Sequence, residues 1–522
     1  MYNVGIVGFG VVGRSILSFL NEKKGQAINH DDHEIMRLSI WDARVLSAEE
    51  QLFINDYGAS VIDPAQVSLE DFLRNNDYIV ASPGVDLNDY QKYHNKFLCE
   101  LDFFSTFFSK PVIAITGALG KTTTTKLLGK LTSLVSYLSL EQKKGTQQNK
   151  FKDYFGNTKA ITSVIGGNIG IGMLDLVKQQ ESYDLGVLEL SSFQLELNKK
   201  FAPDIAIFTN FYANHLDRHK TLEAYFEAKF SIIRYQRPDQ IAILSLDLLT
   251  GDGAHLLNNY LPAVKSQVCF VAQELPDQEL LKKINRPEYL LFYVKEHNLY
   301  VTSVRNSTCE QAFKLFDLTV LPATTFLSNW LQILTTLYIL GADLLALEHI
   351  FKTDRQAFVL DDHHHRVEYF ATINHVDFYN DSKSTVIQAT QAAVEQLARH
   401  NKPIILILGG LSKGVDRSPL VSYLKTIKNI KKVYCFGKDS DVFLSNYSDA
   451  RTGEAVGRLE VQERNIGCTY FPTLEEIIQD IKKTMKPGDL VLFSPSGSSF
   501  DLFKNYEHRG QVFKDLVLRL KA

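Results

Sequence analysis

The 522-residue sequence has little cysteine, little net charge and no uninterrupted long apolar run. Its five cysteines, Cys99, Cys269, Cys309, Cys435 and Cys468, lie far apart, and no CxxC occurs. They read as free thiols in a reducing compartment, not as a disulfide framework. The formal net charge of -4 gives no broad attraction to nucleic acid or an anionic membrane. The most apolar long segment, Trp330–Leu347, is broken by Gln332, two threonines and Asp343. A buried helix is expected there, not a membrane span. No signal peptide is read, because Asn3–Val7 already has the pattern of a strand. No internal repeat or low-complexity tract stands out. These absences point to a cytoplasmic globular protein.

What the chain does have is alternation. Short apolar runs recur between helical stretches, among them Val4–Val7, Tyr78–Ala81, Val112–Thr116, Leu185–Glu189, Ile205–Thr209, Ile404–Leu408 and Leu490–Phe493. This predicts an α/β fold with parallel sheets. At about 150 residues per domain, the length implies two to four domains. The pattern divides into three blocks, ending near Leu101, near Asp362 and at Ala522. Two polar stretches, Glu22–Glu34 and Glu141–Asn157, read as solvated insertions. In parallel sheets ligands collect beyond the carboxyl ends of strands, so the motifs there carry the functional argument.

Four constellations fall at such ends. Gly8, Gly10 and Gly13 form GxGxxG after the first strand, and Asp42 with Arg44 ends the next. Glycines there let backbone approach a diphosphate at a helix N-terminus. Alone, the motif suggests a nicotinamide-dependent oxidoreductase, with Asp42 on a ribose hydroxyl and Arg44 on a phosphate or base. The second is "GALGKTT", Gly117–Thr123. Backbone N–H groups around Gly117–Gly120 can ring a phosphate, Lys121 can reach its outer oxygens, and Thr122 or Thr123 can ligate Mg²⁺. The third places Glu189 at a strand end, His215 and Asp217 after the next strand, and Lys229 on the following helix. Glu189 suits Mg²⁺, which prefers oxygen ligands. The residues alone give Lys229 no role beyond a surface charge. The fourth combines Asp381, Lys383 and Thr385 with Lys413 and with the hydroxyls of Ser494, Ser496, Ser498 and Ser499. Lysines and hydroxyls at successive strand ends suit carboxylate and phosphate recognition. The run His363–His365 is not expected to converge on a metal, because neighbours in an extended chain point to opposite faces.

Together these motifs resemble those of the Mur ligases, over nearly the whole chain. "GALGKTT" is similar to the short phosphate loop of that family. "GGNIG" (Gly166–Gly170), "ELSSFQL" (Glu189–Leu195), "NDSK" (Asn380–Lys383) and "FKNYEHRG" (Phe503–Gly510) resemble its D-glutamate-adding branch. The resemblance implies a UDP-binding Rossmann-like domain over 1–102, a central P-loop ATPase domain over 103–362 and a Rossmann-like C-terminal domain over 363–522. It implies an ATP-dependent amide ligase of cytoplasmic peptidoglycan precursor synthesis, acting as a monomer on UDP-N-acetylmuramoyl-L-alanine, D-glutamate and ATP. Gly10, Asp42, Arg44, Ser82, Gly84, Asn168, Ser191 and Gln194 would then hold the UDP substrate. Gly117, Gly120, Lys121, Thr122, Thr123, Asn329, Arg366 and Asp381 would hold ATP. Lys383, Thr385, Lys413, Ser499, Phe500 and Tyr506 would form the D-glutamate pocket. Thr122, Glu189, His215 and Lys229 would ligate Mg²⁺, Lys229 as a carbamate formed with CO₂. The catalytic set would be Lys121, His215, Lys229 and Lys383. The carbamate has a physical basis, since a desolvated lysine near cations loses its proton more easily and its neutral amine captures CO₂.

The chain departs from the family pattern at Leu119, where asparagine is usual, and at Asn214, where aspartate precedes the histidine. "ATTFLSN" (Ala323–Asn329) keeps only the last asparagine of its segment. The alternatives are a Mur-type ligase with another amino acid acceptor, or a catalytically weakened relative acting as a binding protein.

Overall fold

A computed structural model describes residues 2–23, 35–134, 161–322, 325–353, 365–398, 400–443 and 468–521. The polar stretch Glu141–Asn157, nearly all of Glu22–Glu34, and His363 and His364 lie outside the described residues. The chain gathers into two compact units, Met1–Tyr212 with Thr221–Val359, and Ala213–Lys220 with Leu360–Ala522.

The first unit holds two sheets. One comprises β1 (Tyr2–Val7), β2 (Ile35–Trp41), β3 (Ser60–Ile62), β4 (Tyr78–Ala81) and β5 (Phe97–Leu98). Its strands are parallel, in the order β3-β2-β1-β4-β5. The strand order reverses at β1, so a crevice opens between the ends of β1 and β4. The second sheet takes β6 (Val112–Thr116), β7 (Ser163–Gly167), β8 (Leu185–Glu189), β9 (Ile205–Phe208), β10 (Ile241–Ser245), β11 (Gln267–Ala272) and β12 (Leu290–Lys295). An antiparallel edge of β13 (Asn298–Arg305), β14 (Thr308–Cys309) and β15 (Phe313–Asp317) completes it. Here β6 lies between β8 and β9, which is the switch point of this sheet. Every residue of β6, β8 and β9 is buried. Strands covered on both faces read as continuous apolar runs, which is why "VIAI" and "IAIF" do not alternate. Each fully buried isoleucine among them contributes about 2 kcal/mol.

The second unit carries β16 (Glu368–Ile373), β17 (Val376–Asn380), β18 (Ile404–Gly409), β19 (Ile430–Phe436), β20 (Cys468–Tyr470) and β21 (Leu490–Phe493). Their order is β16-β17-β21-β18-β19-β20, parallel except at β16.

Seven helices matter for the sites: α1 (Val11–Glu22), α2 (Glu100–Phe107), α3 (Lys121–Leu134), α4 (Met173–Gln179), α5 (Leu222–Arg234), α6 (Leu327–Leu340) and α7 (Tyr506–Leu518). Helix α6 is the buried helix expected from the Trp330 segment, and it stops at Gly341 with φ +83°. Among the described residues no helix is long and apolar enough to cross a membrane.

Candidate active site

The phosphate loop joins β6 to α3, at the switch point of the central sheet. Its two glycines are required by crowding. Gly117 has φ +146°, and a Cβ there would lie 1.9 Å from Thr209 Oγ1. Gly120 has φ +82°, and a Cβ would lie 2.2 Å from Asn329 Oδ1. Lys121 Nζ donates to the carbonyls of Gly117 (2.9 Å) and Ala118 (3.0 Å). Thr123 is buried at the start of α3, with Thr122 beside it part-exposed. Within the stretch expected to ring a phosphate, the N–H groups of Ala118 and Leu119 donate to the carbonyl and side chain of Asn210.

Lys229 reaches the same loop from α5. It is 2% exposed, and its Nζ donates to Gly117 O at 2.8 Å. It is therefore no surface charge. Burial pushes its ammonium well below the usual lysine range, and the nearby Lys121 charge adds to this, while Glu189 opposes it. The Nζ also lies 4.9 Å from the centre of the Tyr225 ring. Glu189, ending β8, accepts a hydrogen bond from Asn168 Nδ2 at 2.8 Å through Oε1. Its Oε2 is buried with no hydrogen-bond partner. A buried carboxylate oxygen without a donor fits a cation ligand. Asn329 holds Thr325 through its Nδ2 at 2.7 Å. Ser191 and Gln194 form a reciprocal capping box, each bonding the other's backbone N–H, so "SSFQ" opens a short helix after β8.

At the first glycine turn, Gly13 packs so closely that a Cβ would lie 2.2 Å from Gly8 O. Ser82 Oγ, beyond β4, donates to that same carbonyl at 2.8 Å. Gly10 and Gly84 face open space. Asp42 is engaged already: its carboxylate accepts from Phe9 N at 2.7 Å and from Arg44 N and Nε. Burial alone would raise its pKa, but the hydrogen bonds from Arg44 and Phe9 outweigh that and lower it. Arg44 keeps a 60% exposed side chain at the mouth.

The second unit gathers the remaining residues. Asp381, just after β17, is buried and pushed up to about 7 by desolvation, against bonds from Ser494 Oγ (2.6 Å) and Val367 N (3.2 Å) and the Arg366 charge. Lys383 Nζ lies 4.9 Å from the Tyr506 ring centre. Thr385 is part-exposed, Ser499 is buried, and Phe500 is 69% exposed. Lys413 has φ +54°, and its Nζ comes within 3.5 Å of His215 Nδ1. His215 is itself left-handed, at φ +55°. Arg509 lies inside the "FKNYEHRG" motif, where its residue type alone marks no role. It is fully buried, and it donates to Ser382 Oγ, Ser382 O and Gly497 O, tying the "DSK" turn to the "SPSGSS" turn. Burial pushes it down to about 9.

Residues 115–269 match the sequence profile of the Mur ligase middle domain, and residues 365–497 that of the Mur ligase glutamate ligase domain. A UDP-N-acetylmuramoylalanine--D-glutamate ligase from Koribacter versatilis (strain Ellin345) is 30% identical over 457 residues, covering 86% of this chain and 84% of the relative. One of the same name from Thermoanaerobacter sp. (strain X514) is 28% identical over 523 residues, covering 99% and 98%. Among solved structures, MurF from Acinetobacter baumannii is similar at 15% identity and a TM-score of 0.49, covering 86% of this chain and 87% of that one.

Proposed function

The chain belongs to the Mur ligase family and is an ATP-dependent ligase of peptidoglycan synthesis, and we propose that it joins D-glutamate to UDP-N-acetylmuramoyl-L-alanine. Family membership displaces the oxidoreductase reading of Gly8–Gly13. The three blocks, 1–102, 103–362 and 363–522, are read as its UDP-binding, ATP-binding and C-terminal domains.

The observation that carries the reading is the meeting of two lysines on one loop carbonyl. Lys121 and Lys229 both donate to Gly117 O, with the charge of Glu189 acting on Lys229. A carboxylate is a poor acyl donor. The L-alanine carboxylate of the substrate therefore first takes the γ-phosphoryl group of ATP: a carboxylate O–P bond forms and ADP leaves. The amine of D-glutamate then attacks the acyl carbon, a tetrahedral intermediate forms, and phosphate departs as the amide is made. Lys121 and Arg366 stabilise charge on the transferred group. Lys383, Thr385, Lys413, Ser499, Phe500 and Tyr506 orient D-glutamate, a gain of position. Gly10, Asp42, Arg44, Ser82 and Gly84 hold the UDP end.

Glu189 and Thr122 would hold Mg²⁺, which when bound offsets phosphate charge. The unpartnered Glu189 Oε2 supports that assignment. Burial favours the neutral form of the Lys229 amine, which would form an N–C bond to CO₂ and release a proton, giving a carbamate with oxygens for a second cation.

The deciding experiment is phosphate release with UDP-N-acetylmuramoyl-L-alanine and a panel of amino acids. Activity with D-glutamate is expected. Activity with L-amino acids alone overturns the acceptor assignment, and no activity with any acceptor favours the weakened relative.

A further inference from the structure

We infer that Asn210 is a positioning residue for phosphoryl transfer, fixing the phosphate loop from the end of the neighbouring strand. The inference rests on the assignment of residues 117–123 to ATP made above.

The loop Gly117-Ala118-Leu119-Gly120 has no side chain that can hydrogen-bond. Two glycines add conformational freedom that must be lost when the loop takes one shape. Its order is imposed from outside. Asn210 follows β9, which pairs with β6, so it stands beside the loop that leaves β6. Its side-chain amide lies against the backbone of Leu119. Oδ1 accepts from Leu119 N at 2.8 Å, and Nδ2 donates to Leu119 O at 3.1 Å. The Asn210 carbonyl accepts from Ala118 N at 3.1 Å. Thr209 Oγ1 adds a fourth bond, to Leu119 O at 2.7 Å. Behind them, buried Gln332 of α6 donates to Thr209 O at 3.0 Å and fixes the strand end itself.

This arrangement decides which groups face a phosphate. With the N–H groups of Ala118 and Leu119 turned to Asn210, anion binding falls to the N–H groups that open α3, where the helix dipole favours it. Asn210 thereby sets the angle at which the chain enters that helix. The two lysines hold the loop at Gly117, and the amide holds it at Leu119. The oddity at Leu119 is then resolved, since its backbone does the work and its side chain needs no polar group. An amide at 210 serves both groups, accepting from the Leu119 N–H and giving the Leu119 carbonyl a second donor beside Thr209 Oγ1. A carboxylate supplies the acceptor alone.

The test measures ATP-dependent phosphate release by Asn210→Ala, Asn210→Asp and Thr209→Val, with calorimetric UDP binding and thermal midpoints as controls. Asn210→Ala is expected to lower kcat/KM for ATP about tenfold, from loss of the paired bonds. UDP binding and KM for the UDP substrate should stay at wild-type values. Asn210→Asp should lose at least as much, since it cannot donate and adds a negative charge beside the phosphates. Thr209→Val, which removes one bond, should lose about threefold. Wild-type ATP kinetics in Asn210→Ala overturn the inference. So does a loss shared equally by UDP and ATP together with a fallen midpoint, which marks a merely structural residue. If Asn210→Ala does not fold, Asn210→Asp decides on the same criteria. A Lys121→Ala protein that still binds ATP as wild type would instead remove the loop assignment beneath the inference.

Discussion

Lys229 and Glu189 differ from ordinary buried ions in what surrounds them. Lys229 donates to a backbone carbonyl and lies over an aromatic ring, while Glu189 keeps one buried oxygen without a donor. An uncompensated buried carboxylate oxygen costs about 1–3 kcal/mol, so a site that keeps one has a use for it. Glu189→Gln preserves the bond to Asn168 and removes the charge. The Mg²⁺ concentration for half-maximal activity should then rise at least tenfold; an unchanged Mg²⁺ titration would remove Glu189 from the cation's ligands. Lys229→Arg tests the neighbouring role. A guanidinium stays protonated at any working pH and cannot capture CO₂. Activity is expected to fall by about a hundredfold, the scale of a lost electrostatic contact to the reacting phosphate. A variant with near wild-type turnover would exclude the carbamate. The placement of Lys121 and Glu189 by the carboxyl ends of β6 and β8 was legible from the apolar runs before them. The burial of Lys229 was not, because it depends on how α5 packs under a loop more than a hundred positions earlier in the chain.

Helix α4 begins without a side-chain cap of its own, since Gly172 stands at its N-cap. Its first two N–H groups, from Met173 and Leu174, are met by Glu100 at the start of α2. Burial raises the Glu100 carboxyl from 4.5 to about 7, with Asp175 repelling the charged form and the two N–H groups opposing the rise. Its pKa when folded lies above that when unfolded, so the folded protein binds the proton more tightly. The resulting stability is fully present below about pH 4.5 and is lost as the pH rises through 7. Glu100→Gln keeps a carbonyl acceptor and carries no charge. It should raise the thermal midpoint above wild type at pH 8.5, by a free energy on the order of 3 kcal/mol, and the gap should narrow at pH 6. Equal gaps at both pH values would show that Glu100 is not the titrating group. At this scale the strands were read well: each run named from its apolar residues is a strand of a sheet. The capping of α4 by α2 and the tie made by Arg509 were not readable, because each joins residues distant in sequence with no local pattern to mark them.

On the scale of the whole molecule, binding is linked to stability. A ligand present at a hundred times its Kd adds about 2.7 kcal/mol, a rise of roughly 5–11 °C for a unit of 150–250 residues. UDP and ATP–Mg²⁺ should each shift the melting curve, and NAD should not. A shift with NAD alone would restore the oxidoreductase reading of the first glycine turn. The three α/β sheets follow the three blocks seen in the sequence, but the grouping of the chain does not follow sequence order. The segment Ala213–Lys220 belongs with Leu360–Ala522, and nothing in its composition announces this. That segment carries His215, next to Lys413, and Leu216, whose Cβ would lie 3.4 Å from a Cβ placed on Gly414. The consequence concerns exchange between related genes. A recombination event joining a foreign 3′ end at residue 360 would import Lys413 and Gly414 but leave their neighbours at 215 and 216 behind. Such hybrids inherit a mismatched pair at that spot, so working chimaeras should carry two foreign inserts, the second only eight codons long.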